Sequence, residues 1–306
     1  MHGDKGHGEV DRMGVVRRRY RLLVDFEEVS EFLRRHTVRY GCNGIAVQPY
    51  WEYGQTHPAF QYQYAHRIGL WEDDGELVGV VFYESGLGEC VVNAAPGYEA
   101  LWPEMVQYAE DELSIVAADH HRLIIWAMQP QSDFRKLLID RQYQVIGSEP
   151  VTIFEYARGF KDVAVPDGFS VISLEDENDL AKIHACLWQG FNHGSTPDND
   201  LDCRLQMQSG PHFRKDLATI VKAPDGQYAV YAGMWLDGRN DYAYLEPLAT
   251  IPQYRRMGLA TLALTEAMKK TQKYGATYCF GGSREFYFAI GFEEVFRRET
   301  WLKEWK

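Results

Sequence analysis

Residues 245–264 read LEPLATIPQYRRMGLATLAL, and the order within this stretch decides the fold. LEPLATI is a strand that runs into Pro252, a residue unable to continue it. A basic pair, Arg255-Arg256, comes next, and Gly258-Leu259-Ala260 then opens an apolar periodic segment that reads as a helix. A helix start presents unpaired backbone N–H groups and the positive end of the helix dipole, which together attract an anion. Glycine and alanine at 258 and 260 keep side chains away, so a phosphate can approach the backbone, and the two arginines add fixed positive charge. Neither GxxxxGK[ST] nor a GxGxxG after a strand occurs, so the nucleotide loops of those kinds are excluded.

The elements around this stretch occur twice. Upstream lie a strand (FSVISL), a helix (DENDLAKIHACLWQGF), a loop rich in Gly, Pro, Asp and Asn, and a hairpin turning at Asp225-Gly226; downstream lie a helix from Arg256 to Tyr274, a strand (ATYCF), a short helix (REFYFAI) and GFEEVFRRETWLK. The same order appears earlier as YRLLV, EEVSEFLRR, an aromatic-rich stretch through Gln63, a hairpin turning at Asp73-Asp74-Gly75, ECVVNAA, a helix from Leu101 to Val116, RLIIWAM, FRKLLIDR and a strand pair ending in VTIFEYA. Hairpins require antiparallel pairing and strand–helix–strand connections parallel pairing, so each half predicts a mixed α/β sheet.

The six residues Arg255-Arg256-Met257-Gly258-Leu259-Ala260 resemble the pyrophosphate motif R/Q-x-x-G-x-G/A of the GCN5-related N-acetyltransferase (GNAT) family. FYFAIGF, residues 286–292, is similar to the Y-x-x-x-G-F ending of that family's fourth helix. The resemblance implies two tandem acyl-CoA N-acyltransferase folds, each a mixed, mostly antiparallel sheet flanked by helices. It implies acetyl-CoA as co-substrate, with the backbone of Leu248, Ala249 and Thr250 along its pantetheine arm and Arg255, Arg256, Met257, Gly258, Leu259, Ala260 and Thr261 around its pyrophosphate. Tyr287 is then the general acid toward the departing thiolate, since a phenol of pKa ~10 is protonated at neutral pH. Glu246, two residues before Leu248, is the candidate base. One position departs from the family pattern: Phe280 stands where many members carry an asparagine, and Gly281-Gly282-Ser283 follow it.

The first half lacks these features. With Pro96 set against Pro252, Glu99 and Ala100 stand opposite the two arginines, and Trp102 and Glu104 opposite Gly258 and Ala260; with Tyr143 against Phe292, Leu138 stands opposite Tyr287. Residues 1–158 carry 15 Lys and Arg against 24 Asp and Glu, a net −9, and the remainder carries −3. The expected organisation is a flexible tail over 1–18, a degenerate GNAT-like domain over 19–158 and a catalytic GNAT domain over 167–306. Tyr50, Trp51, Tyr53, Phe60, Tyr62 and Tyr64 read as core and interdomain packing, with a cation-binding cleft as the alternative.

Composition narrows the function further. The net charge of −12 over 306 residues disfavours a nucleic-acid partner and suits a cationic one. No run reaches the ~20 apolar residues of a membrane span, and the first twenty residues do not read as a signal peptide, so a cytoplasmic protein without a membrane partner is expected. Five cysteines without CxxC and ten histidines without HExxH predict no metal site. The expected activity is acetyl transfer from acetyl-CoA to a primary amine of a small molecule by direct attack. A protein or peptide N-terminus as acceptor and a non-catalytic acyl-CoA-binding module are the alternatives. The sequence leaves the oligomeric state open, a homodimer included.

Overall fold

The computed structural model of the chain describes residues 14–37 and 46–306. The first half runs β1 (Val16–Arg19), α1 (Phe26–His36), α2 (Gln48–Thr56), β2 (Gly69–Asp73), β3 (Glu76–Phe82), β4 (Glu89–Ala94), α3 (Trp102–Glu112), β5 (Ile115–Ala117), β6 (His120–Met128), α4 (Ser132–Asp140) and β7 (Gln144–Glu155). The second runs β8 (Ser170–Ser173), α5 (Leu180–Gly190), α6 (Asp202–Met207), β9 (Thr219–Lys222), β10 (Tyr228–Trp235), β11 (Tyr242–Thr250), α7 (Leu259–Lys273), β12 (Tyr278–Gly281), α8 (Glu285–Ile290) and β13 (Glu293–Trp305). Apart from the short β5, the halves repeat element for element. The hairpin turns follow their sequences: Asp74 and Gly75 both take positive φ, 49° and 83°, as a tight two-residue turn requires.

Instead of one sheet per half, a single sheet runs through the molecule in the order β1-β2-β3-β4-β6-β13-β7-β12-β11-β10-β9-β8, with β5 beside β6. The last strand of each half is exchanged. β13 pairs with β6 from Arg298 onward, and β7 pairs with β12 from Thr152 onward, while β7 and β13 run antiparallel to each other with Arg298 opposite Glu149. Pro150 lies opposite Arg297, just before β12 joins β7, where its missing N–H deprives no neighbour on that side. Each half thus completes its partner's sheet, and the exchanged strands are long because each must span both environments.

Four local readings change. The strand expected at YRLLV lies earlier, at β1, because Arg18 pairs with Glu72 of β2 at 2.5 Å and with Asp25 and Glu28 of the following turn and helix at 2.6 and 2.9 Å. Of the expected tail over 1–18, residues 1–13 lie outside the described residues, and Val16–Arg18 belong to β1. The strand pair expected to end at VTIFEYA is the single strand β7, and the aromatic-rich stretch contains α2, with Pro49 in its first turn.

Core packing follows the strand alternation. Val230, Ala232 and Leu245 face α7 through Leu262, Ala263 and Ala267, while Ile220, Tyr231 and Ala249 face α5 through Ile183 and Leu187. No helix among the described residues is long and apolar enough to cross a membrane.

Candidate active site

β11 leaves its neighbours at the residues that matter. Its parallel pairing with β12 ends at Tyr244 opposite Phe280, so the rest of the strand has a free edge on that side. On the other side its register with β10 shifts by one residue between Leu245 and Leu248, a bulge formed by Glu246 and Pro247. Gly233 makes the bulge possible, since a Cβ there would lie 2.4 Å from the carbonyl oxygen of Glu246. Trp235 Nε1 donates to that same oxygen at 2.8 Å and holds it. The bulge reverses the alternation, so Leu245 and Leu248 both face α7 whereas Ala249 faces α5, under Gly190. The backbone of Leu248, Ala249 and Thr250 therefore stands along an open strand edge.

Glu246 faces a cavity of about 220 Å³ between the two halves, lined by α1 and α2, the end of β4, the exchanged strands and the β12–α8 connection. Burial raises its pKa to about 7, the charge of Glu84 adds to the rise, and the Tyr53 phenol opposes it. Tyr50 donates to Glu84 at 2.8 Å, and Arg298, on β13, pairs with Glu149 of β7 while lying over the Trp126 ring. Sequence reasoning missed Glu149 and Arg298, which the exchanged strands β7 and β13 bring here, and Glu84, which follows β3 of the first half. The aromatic stretch gave a partial signal: Tyr50 lines the cavity and Tyr53 stands beside Glu246, whereas Trp51 and Phe60 are core and Tyr62 is exposed.

Tyr287, on α8, packs its ring against Phe286 and Phe292 and across Gly282, where a Cβ would come within 2.4 Å of it. A Cβ at Gly281 would likewise meet the Phe292 ring at 2.3 Å. The glycine pair after Phe280 thus lets both rings lie on the backbone of the shortened connection. Burial raises the Tyr287 pKa, and the charge of Glu246 raises it further, so the phenol is protonated at neutral pH and stands within electrostatic reach of the candidate base.

Between β11 and α7 the chain makes a turn in which Arg256 and Gly258 take left-handed φ, 66° and 78°. Gly258 is the N-cap of α7, no side chain caps this end, and a Cβ at Gly258 would meet nothing within 4 Å. An exposed, uncapped helix start with open space before it suits a pyrophosphate. Leu259 is buried and anchors the helix, while Arg256, Met257 and Gly258 are exposed. Arg255 also makes contacts that the sequence did not suggest. Its guanidinium donates to the carbonyls of Thr250 and Gly190 at 3.1 and 2.8 Å and to Asn192 at 3.0 Å, tying the end of β11 to the end of α5. Among the described residues, no three His, Cys, Asp or Glu side chains gather as metal ligands.

Residues 178–292 match the Acetyltransferase (GNAT) family. No curated protein matches in sequence. Among solved structures, the chain is similar to a tandem GNAT protein from the clavulanic acid biosynthesis pathway (TM-score 0.63, 15% identity, 95% of this chain and 98% of that one). It is also similar to a GCN5-related N-acetyltransferase from Sphaerobacter thermophilus (TM-score 0.61, 12% identity, 95% of both chains). A third similar structure is the N-myristoyltransferase of Saccharomyces cerevisiae with bound myristoyl-CoA (TM-score 0.57, 9% identity, 98% of this chain and 82% of that one).

Proposed function

With the second half of the chain in the GNAT superfamily, we propose that the protein transfers an acetyl group from acetyl-CoA to a primary amine of a small molecule by direct attack. The observation that carries this reading is Glu246, seated in the interdomain cavity where β11 leaves β12 and poised near neutrality. An ammonium must lose a proton to become a nucleophile, and a carboxylate of pKa about 7 takes it at little cost at physiological pH. When bound, acetyl-CoA supplies the thioester carbonyl. Gly258, Leu259, Ala260 and Thr261 would hold its pyrophosphate through their N–H groups with Arg256 beside them, and the edge of β11 at Leu248–Thr250 would hold its arm as an added strand does. The Tyr287 phenol then donates its proton to the leaving thiolate. The acidic surroundings of the cavity, with Glu84, Glu149 and Glu246 against Arg298, favour a cationic acceptor.

The test is thiol release from acetyl-CoA with a panel of primary amines over pH 5.5–8.5. In the wild type kcat should rise with pH through about 7, as Glu246 ionises. Glu246→Gln should lower kcat by about 10²–10⁴ and remove that rise. Equal turnover in the variant would remove Glu246 as base. Tight acetyl-CoA binding without thiol release for any amine would replace the enzyme by an acyl-CoA-binding module.

A further inference from the structure

The interdomain cavity contains a polar side chain that the chemistry above leaves unused. Asn93 lines it alongside Glu246, is 3% exposed, and has no hydrogen-bond partner at either its carboxamide oxygen or its nitrogen. A buried amide with both ends unpaired costs free energy, so its presence calls for an explanation.

Its place in the fold supplies one. The parallel ladder of β4 and β6 ends at Val91 opposite Trp126, and that of β11 and β12 ends at Tyr244 opposite Phe280. Two residues beyond the last paired residue stands Asn93 in the first half and Glu246 in the second. Because side chains alternate along a strand, two steps return each to the face of its last paired residue. The exchanged strands separate the two ladders and bring both positions to one cavity. Corresponding strands of the two halves thus bring a base and a carboxamide to one cavity. Among the described residues, the guanidinium that lines the cavity, Arg298, is already paired with Glu149.

Resting on the acetyl-transfer reading, we propose that Asn93 determines acceptor specificity: the amine nitrogen lies toward Glu246, and a carboxamide on the same small molecule pairs with Asn93. A carboxamide offers one donor and one acceptor side by side, which satisfies both free ends of Asn93 at once. The acceptor class is thus a small amino amide. The degenerate half is retained because it recognises the acceptor, although it holds no coenzyme.

Glycinamide, β-alaninamide and 4-aminobutyramide, each against the alkylamine and the amino acid of equal length, test this. For at least one length the wild type should prefer the amide by about tenfold or more in kcat/KM. In Asn93→Leu that ratio should fall to within about threefold of unity, through KM rather than kcat. The ligand-free variant should also melt higher than the wild type, because an orphaned amide has been replaced by an apolar group of similar shape. A thermal shift with acetyl-CoA reports that the variant's coenzyme site is intact. No amide preference in the wild type, or an undiminished preference in the variant, overturns the proposal. If no amine releases thiol, equilibrium binding of the amides decides: binding lost in Asn93→Leu sustains the recognition site while acetyl transfer falls, and no binding to the wild type overturns both.

Discussion

The turn after β4 and the turn after β11 occupy the same place in the two halves, and they differ in what fills them. After β4 the chain passes through a short 3-10 turn, Glu99–Leu101, straight into α3, with Leu101 and Trp102 both in right-handed helical conformation. Trp102 packs on the ring of Phe134 at 5.2 Å, and Glu104 accepts from Trp71 Nε1 at 3.1 Å, so the helix start is occupied by side chains. After β11, left-handed Arg256 and Gly258 turn the backbone outward and leave the start of α7 open. The strands differ in parallel: β11 carries the bulge at Glu246-Pro247, while β4 pairs with β3 in unbroken register. An open helix start is thus lost or kept over about six residues while the order of strands and helices stays the same. Exchange of β7 and β13 makes the halves depend on each other, since the second half's sheet is incomplete without β7.

The largest effect should come from moving the first half's residue into the second. Gly258→Trp places a bulky side chain at a left-handed position, which only glycine adopts without strain, and fills the space before α7. Acetyl-CoA at one hundred times its Kd should stabilise the wild type by about 2.7 kcal/mol, a shift of several degrees in Tm. In Gly258→Trp the shift and the thiol release should both vanish. A variant that still shifts would mean that the two turns do not differ in the property claimed for them.

Much of this comparison was legible in the sequence, and what was not has a physical reason. The strand–turn–helix at 245–264, both Asp-Gly hairpins and the repeated element order are local, and the structure contains them as read. Strand exchange was hidden because VTIFEYA and FEEVFRRETW alternate in the same way whichever copy of the sheet they close. The choice between self-pairing and exchange is made by topology, and it leaves no local signature. The cavity residues Asn93, Glu149 and Arg298 were hidden because each lies far in sequence from Glu246 and only the folded sheet brings them together. The contacts of Arg255 were also hidden, because a basic turn reads equally as a phosphate ligand or as a clamp on neighbouring carbonyls, and its bonds to Gly190 and Asn192 lie far away in sequence.

A smaller effect should come from the pair Tyr287 and Leu138, which the alignment of the halves places opposite each other. Leu138 is fully buried in the first core, whereas Tyr287 keeps a protonated phenol near Glu246. Tyr287→Phe leaves the ring stacked on Gly282 and removes only the hydroxyl. It should lower kcat by about 10–10²-fold and change acetyl-CoA affinity by less than about twofold. Undiminished turnover would make this tyrosine a packing residue like its counterpart.

The smallest effect tests the seam where the halves meet. Glu52, buried on α2 of the first half, accepts from the backbone N–H of His212 at 2.7 Å and bonds its ring Nδ1 at 2.6 Å. Asp237, held by Arg34 of α1 at 2.7 Å, lies 3.5 Å from the other ring nitrogen. The hydrogen bond to Glu52 raises the His212 pKa, burial opposes it, and the charges of Glu52, Asp237 and Glu27 add to the rise. A histidine whose pKa is raised by folding stabilises the folded state fully below its unfolded value of ~6.5, and loses that contribution as pH climbs through the folded value. His212→Gln should therefore cost about 1–2 kcal/mol at pH 6, the worth of a charge-assisted hydrogen bond, and clearly less at pH 9. The wild type's Tm should fall over that interval by more than the variant's. An equal loss at both pH values would show that His212 joins the halves by shape rather than by charge, and that the acidic first half gains nothing from a cation at its border.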